Sequence, residues 1–312
     1  VYQVTQGDRL VSNIYCERPF CSLDSKRFLY ARQRDGNGGD NPPHWEYLLC
    51  DFGSWKEEVV GVGFHQVSIS YGNDFYFQRP KSQRELEFVR LDLATGCLEP
   101  IWACDRRTGH VGHPTVSPDG RRLAFHYPIS FDPQSFGVAV VNLETGEQET
   151  VFEHPHLCNA HLQFHPTDNR TLLVQLNRGC EFTSAGKRLK LAGDEGATLL
   201  LLDAVSGKTE ALEIGKPHTP RITGHQVWLG QTDTVVATVA PETLPPRLVA
   251  RARQGRNAKA QTRTDRRRGT NYVTAGASKK LLHHVGPCDG PGPRQHWYRI
   301  RHRRLSTGLE RV

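Results

Sequence analysis

One short phrase recurs through this chain and limits what it can fold into. It is an apolar run, a tight turn and a second apolar run. The clearest copy lies in Gly109–Phe125, GHVGHPTVSPDGRRLAF. His113-Pro114-Thr115-Val116 makes the first run, Ser117-Pro118-Asp119-Gly120 turns the chain, and Leu123-Ala124-Phe125 begins the return. Asp-Gly supplies the backbone conformation a tight hairpin needs, and Pro118 stands where a strand must stop. The phrase returns from Pro19 to Ala31, from His65 to Phe77, from His161 to Val174 and from His225 to Ala237. A weaker copy is His283–Gly290.

A second phrase trails the first. Asp92–Gly96, Asn142–Gly146, Asp203–Gly207 and Arg304–Gly308 each separate two apolar runs, as the turn of a second hairpin does. Two hairpins make a unit of four strands. The step from His65 to His113 equals the step from His113 to His161. Each falls within the length of a β-propeller blade, roughly 40–50 residues. The step from His161 to His225 is longer, and the excess fits a loop around Thr183 to Glu195. Such units cannot bury both faces alone, so they stack around an axis. The expectation is an all-β fold, a β-propeller of four-stranded blades of the seven-bladed type, with about six blades legible. The blades are expected at 7–60, 61–104, 105–153, 154–215 and 216 to about 260, with one more in the remainder. Val1–Gln6 reads as a lone strand that closes the ring. Residues 1–312 are expected to form one propeller domain.

Charge is uneven. Between Arg247 and Arg304 there are 16 Lys/Arg and two acids, a net +14, so the rest of the chain carries −7. The poorly patterned part, 247–280, is expected to be an insert, disorder or a frame error. A basic stretch invites a nucleic-acid reading, but no aromatic-interleaved motif accompanies this one, so no nucleic-acid partner is expected. No run of about 18 apolar residues exists, so no membrane partner is expected either. The eight cysteines follow no metal or disulfide spacing and read as free thiols in a reducing compartment, which points to the cytoplasm. Gly-x-Ser-x-Gly, a phosphate loop and His-Glu-x-x-His are all missing.

Histidine stands at the start of the first strand in several copies: His65, His113, His161, His225 and His283 or His284. The first strand of each blade lines the central channel, so these positions converge on one mouth. A ring of imidazoles suits a divalent metal. The plainer alternative is that each His caps its strand. His161, Gln163 and His165 alternate, which puts them on one strand face.

The repeats look like the TolB-type propeller repeat. More narrowly, His161-Leu-Gln-Phe-His-Pro-Thr-Asp168 followed by Gly224-His225-Gln226-Val227-Trp228 resembles the oligogalacturonate lyase family. The resemblance spans about Val1 to Ala240, with the His283–Gly290 fragment. It implies a seven-bladed propeller holding one manganese ion through three His and one Gln. The His of the family's His-Glu-Phe-Trp motif falls on His225. The other ligands belong to a Gln-x-x-His-x-His motif that this chain does not contain; Gln295-His296 has no His at the required spacing. His284 is the second metal candidate. The implied reaction is β-elimination on short galacturonides, a small acidic oligosaccharide substrate. His161 is then the base, Arg178 neutralises charge, and His113, His110 and Gln163 hold the sugar. The rival expectations are a noncatalytic TolB-like binding or scaffold propeller and an enzyme acting on another acidic sugar.

Overall fold

The structure, a computed structural model, describes residues 9–15, 17–34, 45–63, 65–70, 72–105 and 112–239. For 65–67 and 113, and for the strands within 247–252, 262–265 and 270–273, the backbone alone is described. These residues form strands and turns and no helix.

Four four-stranded antiparallel blades follow in order. The first contains β1 (Val11–Asn13), β2 (Arg27–Gln33), β3 (Trp45–Asp51) and β4 (Glu57–Gly63). The second contains β5 (His65–Ile69), β6 (Asp74–Pro80), β7 (Glu85–Asp92) and β8 (Leu98–Asp105). The third contains β9 (Gly112–Val116), β10 (Arg122–Phe131), β11 (Gln134–Asn142) and β12 (Gln148–His154). In the fourth, β13 (Gln163–His165) and β14 (Asp168–Asn177) come first. A small side hairpin, β15 (Glu181–Phe182) and β16 (Arg188–Lys190), follows, before β17 (Ala197–Asp203) and β18 (Thr209–Ala211) complete the blade. A fifth blade opens with β19 (Ile222–Trp228), β20 (Thr234–Val239) and β21 (Arg247–Ala252). The fold is a β-propeller.

Three strands fall inside the segment expected to lack pattern. All six residues of β21 pair with β20. β22 (Thr262–Asp265) and β23 (Thr270–Val273) form a hairpin whose β23 runs parallel to β21. Arg-Leu-Val-Ala-Arg-Ala is a strand because its backbone completes a ladder that β20 leaves open, despite its charge. The closing strand expected at Val1–Gln6 and the sixth copy at His283–Gly290 lie outside the described residues.

Burial explains why several strands read as continuous apolar runs. Both faces of each inner sheet are covered, so every residue of the strand is needed. In β6, Phe75 and Phe77 face the first blade in a core with Leu29, Ala31 and Tyr47, while Tyr76 between them faces the third blade with Leu123 and Phe125. In β14, Leu172, Val174 and Leu176 pack on the third blade, and Leu173 packs on the fifth. The period of two thus assigns alternate residues to different neighbours.

The side hairpin accounts for the long step before His225. Phe182 leaves the fourth blade and sits 5.5 Å from Phe131 and 5.3 Å from Phe136 of the third, ring centre to ring centre.

The turns behave as their residues dictate. Asp92, Asn142 and Asp203 each accept backbone N–H groups two and three residues on, and Gly96, Gly146 and Gly207 close the turns in the left-handed region. Gly207 has a second constraint. A Cβ there would run into the carbonyl oxygen of Val151, whereas one at Gly96 or Gly146 would meet nothing. Gly207→Ala is therefore expected to destabilise the protein more than Gly96→Ala, for which the backbone cost of about 1–2 kcal/mol stands alone. Equal losses of denaturation midpoint in the two variants would contradict this.

Asp203 also carries an acid dependence. Burial pushes its carboxyl up, but the amides of Ser206 and Val205 and the Arg170 guanidinium outweigh that and bring it down to about 2. A depressed carboxyl contributes stability above its ordinary value of 3.8 and loses it as pH falls towards about 2. Asp203→Asn is expected to melt below the wild type near neutrality, by a small margin because the pair is largely solvated, with the gap closing across that window. A gap that persists at the acid end would show that the turn geometry, not the charge, is responsible.

Candidate functional site

The hairpin turns give the repeat an internal ruler. The amides of Ser22, Ser70, Ser117 and Leu229 donate to the carbonyls of Arg27, Asp74, Arg122 and Thr234, closing equivalent turns. Four residues before these amides stand Arg18, Gln66, His113 and His225. In the fourth blade His165 pairs with Asp168, which puts His161 at the same position. His65 is thus one residue out of register, and Gln66 holds the equivalent place.

His161 and His225 meet. Their ring centres lie 6.1 Å apart with the planes at 89°. The Tyr15 ring is 6.0 Å from His161 and 6.3 Å from His225. Both histidines have left-handed backbones, φ 48° and 57°. Non-glycine residues hold such conformations where their surroundings over-determine them, and these cluster at functional sites. β13 begins only at Gln163, so the strand alternation expected to reach back to His161 stops short of it.

One buried carboxylate collects these elements. Glu17 is 2 % exposed. Its Oε2 lies 2.8 Å from His161 Nδ1 and 3.5 Å from Gln163 Nε2. Its Oε1 accepts the backbone N–H of Gln226 at 3.0 Å. Asn159 Nδ2 stands 2.8 Å from His161 Nε2. Gln163 Nε2 also donates to the Gln226 carbonyl at 2.6 Å. Glu17 comes from the first blade, His161 and Gln163 from the fourth, and Gln226 from the fifth. Beside Glu17, burial pulls the Arg18 guanidinium down to about 10, against the opposing charges of Glu17 and Tyr15, so it stays cationic at neutral pH.

Behind this cluster a cavity of about 70 Å³ runs between the inner strands. Arg18, Ser68, Thr115, Gln163 and Trp228, one from each of five blades, line it. It has room for about two waters but not for a sugar ring. His165 also lines this cavity: its ring packs edge-on to Trp228 at 4.5 Å, and its Nε2 is 2.8 Å from Asp233.

The other expected site residues are placed as follows. Gln163 stands with His161. Arg178 is held by Glu195, with Nη1 2.9 Å from its carboxylate, and by the carbonyls of Glu195 and Lys216. These are not the partners that hold His161. His113 lies on β9, with its backbone alone described. His110 and His284 lie outside the described residues. Among the described residues no three His, Cys, Asp or Glu side chains gather to hold a metal. Tyr15, Glu17, Arg18 and Asn159 were not expected. The ruler of four residues before the turn-closing amide points to Arg18 and its neighbour Glu17; no sequence signal marks Asn159.

Solved structures share this fold. TolB from Acinetobacter baumannii superposes with a TM-score of 0.50 at 13 % identity, over 73 % of this chain and 50 % of that one. An oligogalacturonate lyase in complex with manganese superposes with a TM-score of 0.55 at 16 % identity, over 80 % of this chain and 65 % of the lyase. The chain therefore spans half of one relative and under two thirds of the other. No family model matches the chain, and no curated protein matches it. At these identities the likeness establishes the propeller fold that the chain shares with both proteins.

Proposed function

We propose that this protein is an oligogalacturonate lyase-like enzyme that cleaves short galacturonides by β-elimination. The observation that supports this most is the meeting of His161 and His225, from different blades, beside one buried carboxylate. The proton at C5 of a uronide lies next to a carboxylate and is weakly acidic. A positioned imidazole is suited to removing it near neutral pH. In the proposed step His161 takes that proton, the released electrons form the C4–C5 double bond, and the bond from C4 to the glycosidic oxygen breaks. The leaving oxygen takes a proton from water, and His161 returns the C5 proton to solvent. Gln163, His113 and His110 are proposed to hold the sugar. Arg178 neutralises the carboxylate by exchanging Glu195 for it, and a partly solvated ion pair costs little to exchange.

A manganese ion would take His225 and His284, and when bound it would withdraw charge from the uronate carboxylate. The described donors alone do not make a metal centre. A cytoplasmic setting goes with this proposal: the six described cysteines are free thiols.

The alternative is a noncatalytic TolB-like binding propeller. It is favoured by the fact that both ring nitrogens of His161 already have protein partners. The deciding experiment incubates the full chain with di- and trigalacturonate, with and without manganese, and follows unsaturated uronide by absorbance and mass. Product formation is expected; none under either condition would leave the binding module.

A further inference from the structure

We infer that Glu17 is a positioning residue that fixes His161 as the Nδ1–H tautomer and so leaves Nε2 as its proton-accepting nitrogen. The inference rests on His161 as the base for its functional meaning, but the hydrogen bonds stand apart from that. Both Glu17 oxygens accept from N–H donors, Oε1 from Gln226 and Oε2 from Gln163, so the 2.8 Å contact of Oε2 with His161 places the proton on Nδ1. The Tyr15 hydroxyl, 3.4 Å from the same nitrogen, is the longer contact. The opposite nitrogen agrees. Asn159 Nδ2 only donates, and at 2.8 Å it addresses a lone pair on Nε2. The carboxylate and the amide, from different blades, specify one tautomer.

Glu17 cannot easily turn away. Its second oxygen is bound to the Gln226 amide, and Gln163 Nε2 approaches the first. The carboxylate is pinned at both ends, and the left-handed backbone of His161 turns that side chain out of line with β13 to meet it. An orienting carboxylate on the far nitrogen is a general device for holding an imidazole in a reactive tautomer. Here it has a further consequence. Asn159 occupies Nε2 in the free protein, so a substrate must displace that neutral hydrogen bond to reach the base.

The test has two readouts. In wild-type full chain labelled with ¹⁵N-histidine, the His161 ring is expected to show a protonated Nδ1 and an unprotonated Nε2. The reverse tautomer would overturn the inference. In Glu17→Gln one acceptor and the charge are lost, so the Gln226 amide and His161 compete for a single oxygen. The Nδ1–H signature is expected to be lost or mixed, and kcat on trigalacturonate to fall by about 10–100-fold with KM little changed. Glu17→Asp is expected to recover part of both. An unchanged tautomer in Glu17→Gln would also overturn the inference, and if that variant does not fold, the wild-type spectrum decides alone. The expected tautomer in a protein that releases no unsaturated uronide would sink the lyase reading and leave the role of Glu17 in place.

Discussion

His161→Ala is expected to release unsaturated uronide about 10²–10⁴-fold more slowly than the wild type while remaining folded. The effect is large because the C5 proton has no other described imidazole so placed. His225 is the nearest, and its ring lies perpendicular and 6.1 Å away. Circular dichroism separates this loss from unfolding. A companion variant sharpens it. His161→Gly suits the left-handed backbone at φ 48°, which alanine does not, and opens the space of the ring. Added imidazole is expected to restore part of the activity in the glycine variant. Undiminished product formation by His161→Ala would remove this residue as the base.

The second large effect concerns stability. Phe77→Ala is expected to cost about 3–5 kcal/mol, read as a lower urea midpoint. Phe77 is 1 % exposed, and its ring centre lies 5.2 Å from Tyr47 and 5.4 Å from Phe75. Gly61 lies so close to its ring that a Cβ there would touch Cζ. The cavity left by alanine cannot be refilled from that side without moving β4. A loss below about 1 kcal/mol would mean that the seam between the first two blades relaxes, contrary to close packing.

The propeller was legible because its turns are written in side chains. Ser117-Pro118-Asp119-Gly120 and the Asp/Asn…Gly phrases fix hairpins locally, and the similar steps to His113 and His161 repeat them, although His65 proved one residue out of register with Gln66 in its place. Alternating and continuous apolar runs then follow from one or both faces being covered. The site was legible in part. His161 and His225, which the structure brings together, stand at repeat positions, and Gln163 was singled out by its alternation with His161. Glu17 stands beside the repeat position of Arg18, but a carboxylate next to Arg18 and Pro19 resembles any surface pair until the fourth and fifth blades bury it. Arg178 reads as a cation at a strand end, and its partners, in the loops at Glu195 and Lys216, could not be read from the sequence. Strand β21 was unreadable for the opposite reason. Its residues are a poor strand by composition, and the order comes from the ladder offered by β20.

The bond from the Glu17 carboxylate to the Gln226 amide closes a span of 209 residues. Contacts so distant along a chain are entropically late to form. During synthesis, then, four blades can emerge and pack pairwise while the cluster around Glu17 is still open on one side. The second anchor of Glu17 arrives only when β19 docks, and a ribosome-bound fragment that stops short of Gln226 holds this carboxylate through His161 and Gln163 alone.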